Sequence, residues 1–419
     1  MTTKDLIKPN PRINKELAYI KRLIEQIVEE CPVRRPTSED EHRAQMIAKE
    51  EFEKLGLATH EEHFYFNDSL YANMALHFGL GSLGTMVSGL APLLGFVLHT
   101  TAGFSYLADS TRRAYFLRRL FPFKPSQNLV AAIPAQKIPD LRLVFLAHAD
   151  AAFTGLLFNP KIVERFSRQL PRPLRFLKRS LAISTRSQFI LAGFDLLRMC
   201  FGPLTWPLRP IEYLISIPGF IAFVLNMEVV IRNEIVPGAN DNLSAVAALL
   251  ILAQRLMPKV PDNVELVFVV TGCEEASLGG GDALARAKEG IWDKDKTVII
   301  GMDGLSNGEL KFAEIEGEVV RTPIPRWLKG VVEQTAASNR KFAEVTGFEI
   351  PVGGTDVAAF LAHGYEGMSL VCVDPKVGSP LHYHTSNDTP QNLDWNKILF
   401  SIDFAEKLAH SIVEFKLGR

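Results

Sequence analysis

The sequence predicts an α/β fold: a mixed, mainly parallel sheet with helices on both faces, to which two apolar helical insertions are added. Two observations predict the sheet. Apolar, β-branched runs recur at LRLVFLAHAD (141–150), VELVFVVTGCEE (264–275) and TVIIGMDG (297–304), separated by helix-forming stretches such as GANDNLSAVAALL (238–250). Each run ends on acids or a histidine, and open α/β sheets gather their sites in the crevice at the carboxyl ends of their strands. A third observation predicts the insertions. Residues 69–108 contain no Asp, Glu, Lys or Arg across forty positions, and in 189–206 and 211–231 the only charged residues are Asp195, Arg198, Glu212 and Glu228.

The amino-terminal segment, 1–68, reads from Asn14 as two helices of the catalytic body. Ser38-Glu39-Asp40-Glu41 is a capping box opening a helix that runs to about Leu55, with Gly56 as its stop. Segment 69–125 reads as an apolar hairpin with a basic flank. A bilayer hydrocarbon core takes about twenty helical residues per crossing, so forty uncharged positions just accommodate two. Ser88-Gly89-Leu90-Ala91-Pro92 supplies the turn, and Arg112, Arg113, Arg118, Arg119 and Lys124 follow. A strand at Asn128–Ile133 brings the chain back to the sheet within segment 126–160. Segment 161–234 repeats the pattern: 161–186 carries eight Lys or Arg against one Glu, and the second apolar pair comes next. Residues 235–419 complete the catalytic body.

Convergence of the strand-end residues constrains the topology. His148 precedes the second apolar pair and Asp241 follows it, so the chain must return to its starting side: two hairpins or none. As membrane hairpins, their basic flanks place the catalytic body on the cytoplasmic face. The polar start MTTKDLIKPNPRINKELAY, without the apolar core of a secretory leader, agrees. As packed helices in a soluble cytoplasmic protein, the same segments would cap the site or form a homo-oligomer interface. Membrane association is the expectation carried forward.

Composition narrows the partners. A net charge of −1 with 22% charged residues argues against a nucleic-acid binder and against a disordered chain. At 419 residues there is room for one large α/β body plus additions. Cys31, Cys200, Cys273 and Cys372 are widely spaced and form no CxxC pair, so reduced thiols are expected, with Cys273 a small packed residue.

The strand-end residues are His148, Asp150, Asp241, Glu274, Glu275, Asp303 and, in the late loop LHYHTSNDTP, His384. Imidazole and carboxylate are common ligands of catalytic zinc, and a carboxylate can bridge two ions about 3.5–4 Å apart. Asp150, two positions after His148, is placed to accept that ring's other proton and so orient it. Glu274 and Glu275 are adjacent and cannot point alike, so one can bind metal while the other faces water as a general base. Taken singly, each has a plainer explanation: a Glu-Glu pair is usually a solvated helix start, and Asp241 is well placed to cap the helix beginning near Leu243.

Order and spacing of these motifs resemble the M28 family of zinc aminopeptidases, which includes glutamate carboxypeptidases and, more distantly, glutaminyl cyclases. The resemblance covers roughly 127–160 and 235–415 with the amino-terminal helices. It implies a zinc-exopeptidase fold and two zinc ions, replaceable by cobalt or manganese. It also implies roles: His148 and Asp303 on one ion, Asp241 as the bridge, Glu275 and His384 on the other, and Glu274 as the base. Tyr383-His384-Thr385 with Asp388-Thr389 matches the family pattern, which favours His384 over His382 as the ligand. Gly353-Gly354-Thr355-Asp356 resembles a substrate-side loop, with Thr355 where Ser is usual and Asp356 beside it. Departures are Ser-Ala after Asp241 in place of Ser-Gly, Asn240 where Asp is frequent, and the interval of about 90 residues between Asp150 and Asp241. The implied substrate is a peptide or amino-acid amide cleaved at a terminal bond, by an aminopeptidase before other exopeptidases. Glutaminyl-cyclase-like acyl transfer, which in that branch uses a single metal, and a non-catalytic membrane scaffold or receptor are the competing expectations.

Overall fold

The computed structural model describes residues 11–167, 179–351 and 353–418. Helices α1 (Pro11–Glu30) and α2 (Glu39–Lys54) come first, then strand β1 (Ala58–Phe66), α3 (Leu70–Val87) and α4 (Pro92–Ser110). Strands β2 (Lys124–Ile133) and β3 (Leu141–His148) are followed by α5 (Pro160–Ser167), α6 (Ser180–Phe201), α7 (Arg209–Arg232) and α8 (Ala245–Leu256). Next are β4 (Val264–Thr271), α9 (Gly279–Ala287), β5 (Thr297–Asp303), β6 (Glu309–Glu316) and the two-residue β7 (Thr322–Pro323). The chain closes with α10 (Arg326–Ala337), β8 (Thr346–Glu349), α11 (Asp356–Ala362), β9 (Glu366–Val373) and α12 (Trp395–Leu417).

One sheet runs in the order β1-β2-β4-β3-β5-β9-β6-β7, with β8 beside β6. Its centre, β4-β3-β5-β9, is parallel, while on one side β2 is antiparallel to β4 and β1 antiparallel to β2, and on the other β6 is antiparallel to β9. The parallel strands read as continuous apolar runs because both their faces are covered. Leu143, Phe145 and Ala147 of β3 face the core shared with α1, α2, α8 and α12. Val144 and Leu146 face the opposite core, with Leu284 of α9 and Phe360 of α11. The expected α/β class, with helices on both faces of a mixed sheet, is therefore what the chain adopts.

The capping box forms with one change. Ser38 Oγ accepts from the Glu41 backbone N–H, and Gly56 ends the helix at φ +85°. Glu41, however, does not bond back to Ser38. It is fully buried and accepts from the backbone N–H groups of Thr37 and Cys273 and from Ser126 Oγ.

Arg34, also fully buried, ties three segments together. Its guanidinium donates to the carbonyls of Ala149 at 2.9 Å, Cys31 at 3.0 Å and Pro237 at 2.7 Å. These carbonyls sit beside the segments that carry His148 and Asp241, so the amino-terminal region reaches directly into the strand-end crevice.

The apolar segments form a four-helix bundle in which α3 packs on α4 and α7, and α6 on α4 and α7. Its inside carries a polar network beside an apolar cluster of Met74, Phe78, Tyr106 and Ala182. His99 Nδ1 lies 2.6 Å from Asp195 Oδ2 and its Nε2 3.0 Å from Thr85 Oγ1, while Arg198 pairs with Glu212 and His77 Nε2 meets Ser105 Oγ at 2.8 Å. Its outside is apolar: Leu90 is 94% exposed and Leu204 82%, with Met86, Phe104, Trp206, Leu214 and Phe220 also exposed. A water-soluble bundle has the opposite arrangement. Among the described residues, Ser180–Arg232 is the stretch long and apolar enough to cross a membrane by length and composition.

Two expectations change here. Helix α6 begins at Ser180, well before the expected 189, because Ser184, Ser187 and Gln188 are buried inside the bundle and do not interrupt it. Arg112 and Arg118, read as part of a solvent-facing basic flank, are buried: Arg112 pairs with Glu318 and bonds Ser277, and Arg118 pairs with Asp109 and bonds the Ala276 carbonyl. They fasten the bundle to the loop after β4. Residues 168–178 of the second basic stretch lie outside the described residues.

Replacing Arg34 leaves several buried carbonyls without donors, each costing about 1–3 kcal/mol. The predicted result for Arg34→Met is a loss of about 2–4 kcal/mol of stability. A thermal melt of the purified chain against the unaltered protein checks it, and an unchanged melting temperature would refute it.

Candidate metal centre

The sheet explains why residues far apart in sequence meet. His148 is the last residue of β3, Asp303 the last of β5, and Glu274 and Glu275 stand just past the end of β4, three adjacent parallel strands ending on one side. Asp241 lies in the irregular turn Ala239–Ser244 that opens α8, and His384 in the loop between β9 and α12. Cys273 and His384 are held at φ +55° and +54°, values few non-glycine residues adopt and which cost about 1–3 kcal/mol each.

The ligand atoms converge. Asp241 divides its two oxygens between the imidazoles: His148 Nε2 is 3.2 Å from Oδ1 and His384 Nε2 is 3.3 Å from Oδ2. His384 Nε2 is also 3.3 Å from Glu275 Oε1, and His148 Nε2 is 4.0 Å from Asp303 Oδ1 and 3.9 Å from Glu274 Oε2. Ligand atoms of His148, Asp241 and Asp303 lie within 4.8 Å of one another, as do those of Asp241, Glu275 and His384. Asp241 is common to both groups. His382, the alternative to His384, belongs to neither.

Supporting contacts come largely from backbone amides. Asp150 is fully buried, and its carboxylate accepts the N–H groups of Glu274 at 3.1 Å and Glu275 at 2.9 Å. The His148 ring is instead held by the Asp150 carbonyl, 3.0 Å from Nδ1 and nearer than the carboxylate at 3.5 Å. The ring contact expected of the Asp150 side chain is made by its main chain instead, because the side chain fixes the glutamate pair. Asp388 accepts from the backbone N–H groups of Asn240 and Asp241 at 2.7 and 3.0 Å. Asn240 and Asn242, on either side of Asp241, accept from the N–H groups of Ser306 and Gly304 and so lock the Asp241 turn to the end of β5.

Crowding of acids shapes the electrostatics. Burial, reinforced by Glu275, Asp356 and Asp303, holds Glu274 well above the usual carboxylate range against the pull of His148. Burial and Asp241 push Asp303 up to about 8. Burial opposes charge on His384, yet Glu275 and Asp241 raise it to about 10. Four crowded carboxylates, with Asp303 partly exposed, against two imidazoles make a set short of positive charge, and His148 Nε2 is buried without an aligned hydrogen bond. Both features fit divalent cations, with the two groups sharing Asp241 as the places that would hold them.

Thr355 and Asp356, expected on the substrate side, are buried with their bonds directed into the protein. Thr355 bonds Glu316 and Ser369 at the start of α11, and Asp356 bonds Thr271 at the end of β4. The α11 amino terminus packs against the sheet here, which is why these side chains turn inward. Sequence reasoning overlooked Tyr71, Phe158 and Glu41. The Tyr71 hydroxyl is 3.4 Å from His384 Nδ1, and the Phe158 ring lies 4.4 Å from that of His384. Only Glu41 carried a signal, its place in the capping box.

A parallel-centred sheet with a His/Asp/Glu cluster at its strand ends defines an α/β fold of the zinc-exopeptidase type. Residues 224–407, the stretch containing Asp241, the glutamate pair, Asp303 and His384, match the profile of peptidase family M28. The fold is similar to BSAP, a zinc aminopeptidase from Bacillus subtilis (TM-score 0.55, 12% identity, 94% of each chain covered). It is also similar to an aminopeptidase from Aneurinibacillus sp. strain AM-1 (TM-score 0.53, 14% identity, 96% of this chain and 95% of that one). A third likeness is to Bacteroides thetaiotaomicron glutaminyl cyclase (TM-score 0.53, 11% identity, 94% and 96%). No curated protein matches the chain by sequence.

Because Asp241 contributes to both ligand groups, Asp241→Ala is expected to release more divalent metal than Glu275→Ala or Asp303→Ala. Elemental analysis of the three variants, prepared alike, tests this. Retention of metal in Asp241→Ala at the level of the other two would show that the bridge lies elsewhere.

Proposed function

We propose that the chain is a di-zinc exopeptidase that removes a terminal residue from a peptide or amino-acid amide, acting as an aminopeptidase. The observation that carries this reading is Asp241, whose two carboxylate oxygens face one histidine each. His148 and Asp303 would hold one ion, Glu275 and His384 the other, with Asp241 between them. Bound there, the ions would supply Lewis-acid polarisation of the scissile carbonyl and of water.

The chain's own residues do the rest. Glu274 lies outside both groups that share Asp241, although its carboxylate also lies within 4.8 Å of ligand atoms of His148 and Glu275; in this reading it takes a proton from water and returns it to the leaving nitrogen. Asp150, through the amides of Glu274 and Glu275, keeps base and ligand pointing apart. Glutaminyl-cyclase-like acyl transfer is the second reading, favoured by the fold likeness to glutaminyl cyclases. Retention of Glu275 and His384 beside Asp241 favours hydrolysis.

The proposal extends to location. A bundle with ion pairs inside and leucines, phenylalanines and a tryptophan outside suits a bilayer, where polar side chains face helix neighbours. Helices of 18 to 24 residues are about 27–36 Å long, close to the hydrocarbon thickness of about 30 Å. The basic run at 161–186 favours a cytoplasmic catalytic body.

Glu274→Gln is predicted to retain its zinc while turnover falls about 10²–10⁴-fold. Metal content and hydrolysis of an amino-acid amide, a dipeptide, an acyl-glutamate and a glutaminyl peptide, measured on one preparation, check both halves. Full activity in the variant would reverse the roles of Glu274 and Glu275, and cyclisation of the glutaminyl peptide without amide hydrolysis would select the second reading. The intact protein is expected to sediment with membranes, resist salt and carbonate, and require detergent, since burial of apolar surface is not screened by ions. A freely soluble, monodisperse preparation without detergent would exclude the bilayer placement.

A further inference from the structure

The two histidines of the metal centre are oriented by different parts of the molecule. His148 is held from within the catalytic body, by the Asp150 carbonyl two residues along the chain. His384 is not. Its Nδ1 faces the hydroxyl of Tyr71 at 3.4 Å, and Tyr71 stands in the first turn of α3, at the base of the apolar bundle. The imidazole also lies between the rings of Tyr383, at 3.8 Å, and Phe158, at 4.4 Å. Tyr71 is itself fixed edge-on against Phe153 at 5.9 Å and Phe158 at 6.1 Å, in a cluster completed by Val229 of α7. Helices α3 and α7, one from each pair of the bundle, therefore both pack into the cluster beside His384.

An imidazole that offers Nε2 to a cation carries its proton on Nδ1, and a partner for that proton fixes tautomer and ring plane. We propose that Tyr71 is this partner, a positioning residue through which the apolar bundle sets the affinity of the metal site on the His384 side. The inference rests on the two-ion reading above. Its consequence is asymmetric: the His148 side is organised within the α/β body, the His384 side by the α/β body and the bundle together.

The test is Tyr71→Phe in the full chain in detergent, which keeps the ring against Phe153 and Phe158 and removes only the hydroxyl. Zinc binding, measured by competition with a chromophoric chelator, is expected to show one ion unchanged and the other weakened about 10- to 100-fold, the usual effect of losing such a partner. With cobalt in place of zinc, the visible absorption from the weakened site should shift. A loosened bundle alone would not produce that signature. Tyr106→Phe, which removes a buried bundle hydroxyl bonded to Glu318, serves as the control and should leave both affinities and the spectrum unaltered. Wild-type affinities and cobalt spectrum in Tyr71→Phe would overturn the proposal. Should the unaltered protein take up a single ion, the two-ion reading fails separately, and an unchanged affinity for that ion in Tyr71→Phe would overturn the role of Tyr71 as well.

Discussion

The constraint on which the rest of this structure depends is the crowding of carboxylates at the ends of β4, β3 and β5. Asp241, Glu274, Glu275 and Asp303 share a crevice largely closed to water, with Asp150 and Asp356 buried close behind. Like charges at such separations in a medium of low polarity cannot all remain ionised without compensation. Imidazoles supply part of it and cations suit the remainder. The strained backbone at Cys273 and His384, and the amides turned toward Asp150 and Asp388, become intelligible as the means of holding this arrangement.

Support for the acids comes in two layers. Asp150 grips the backbone of the glutamate pair, and Glu41 grips the residue before it, so the turn after β4 is held from both sides. Asp388 and the asparagines flanking Asp241 do the same for the turn before α8. Arg34 then joins the segments next to these turns through carbonyls alone, a buried cation placed where it neutralises no ligand. The outcome is a rigid frame whose hydrogen bonds leave the inward-facing oxygens free.

Much of this was legible in the sequence, for a physical reason. Central parallel strands must be apolar on both faces, and whatever follows them must emerge at one edge, so LRLVFLAHAD, VELVFVVTGCEE and TVIIGMDG announce both the sheet and the convergence of their terminal acids. What escaped notice were interactions that depend on three-dimensional neighbours. Arg112 and Arg118 look like any basic flank until Glu318 and Asp109 are seen to meet them. Polar residues 184–188 look like an interruption until the bundle is seen to carry a polar network within. Thr355 and Asp356 sit in a glycine-rich stretch typical of an exposed loop, yet Glu316, Ser369 and Thr271 draw them inward. Tyr71 gave no sign at all, since an aromatic residue at the start of an apolar helix is unremarked without its partner.

The order of strands also has a bearing on how the chain assembles. β3, buried on both faces, pairs only with β4 and β5, and both are made after the entire bundle. During synthesis β1 and β2 can join as soon as they emerge, but β3 must wait, an apolar edge without neighbours, while the chain from 149 to 263, with α5 to α8, is produced. Non-local pairings of this kind are slow and leave sticky intermediates exposed. β4 then closes the gap by entering between β2 and β3, and the same event carries the glutamate pair to His148. Insertion of β4 and the meeting of the glutamate pair with His148 are thus one event in the life of the nascent chain, and Asp303 and His384 join as β5 and the loop after β9 emerge.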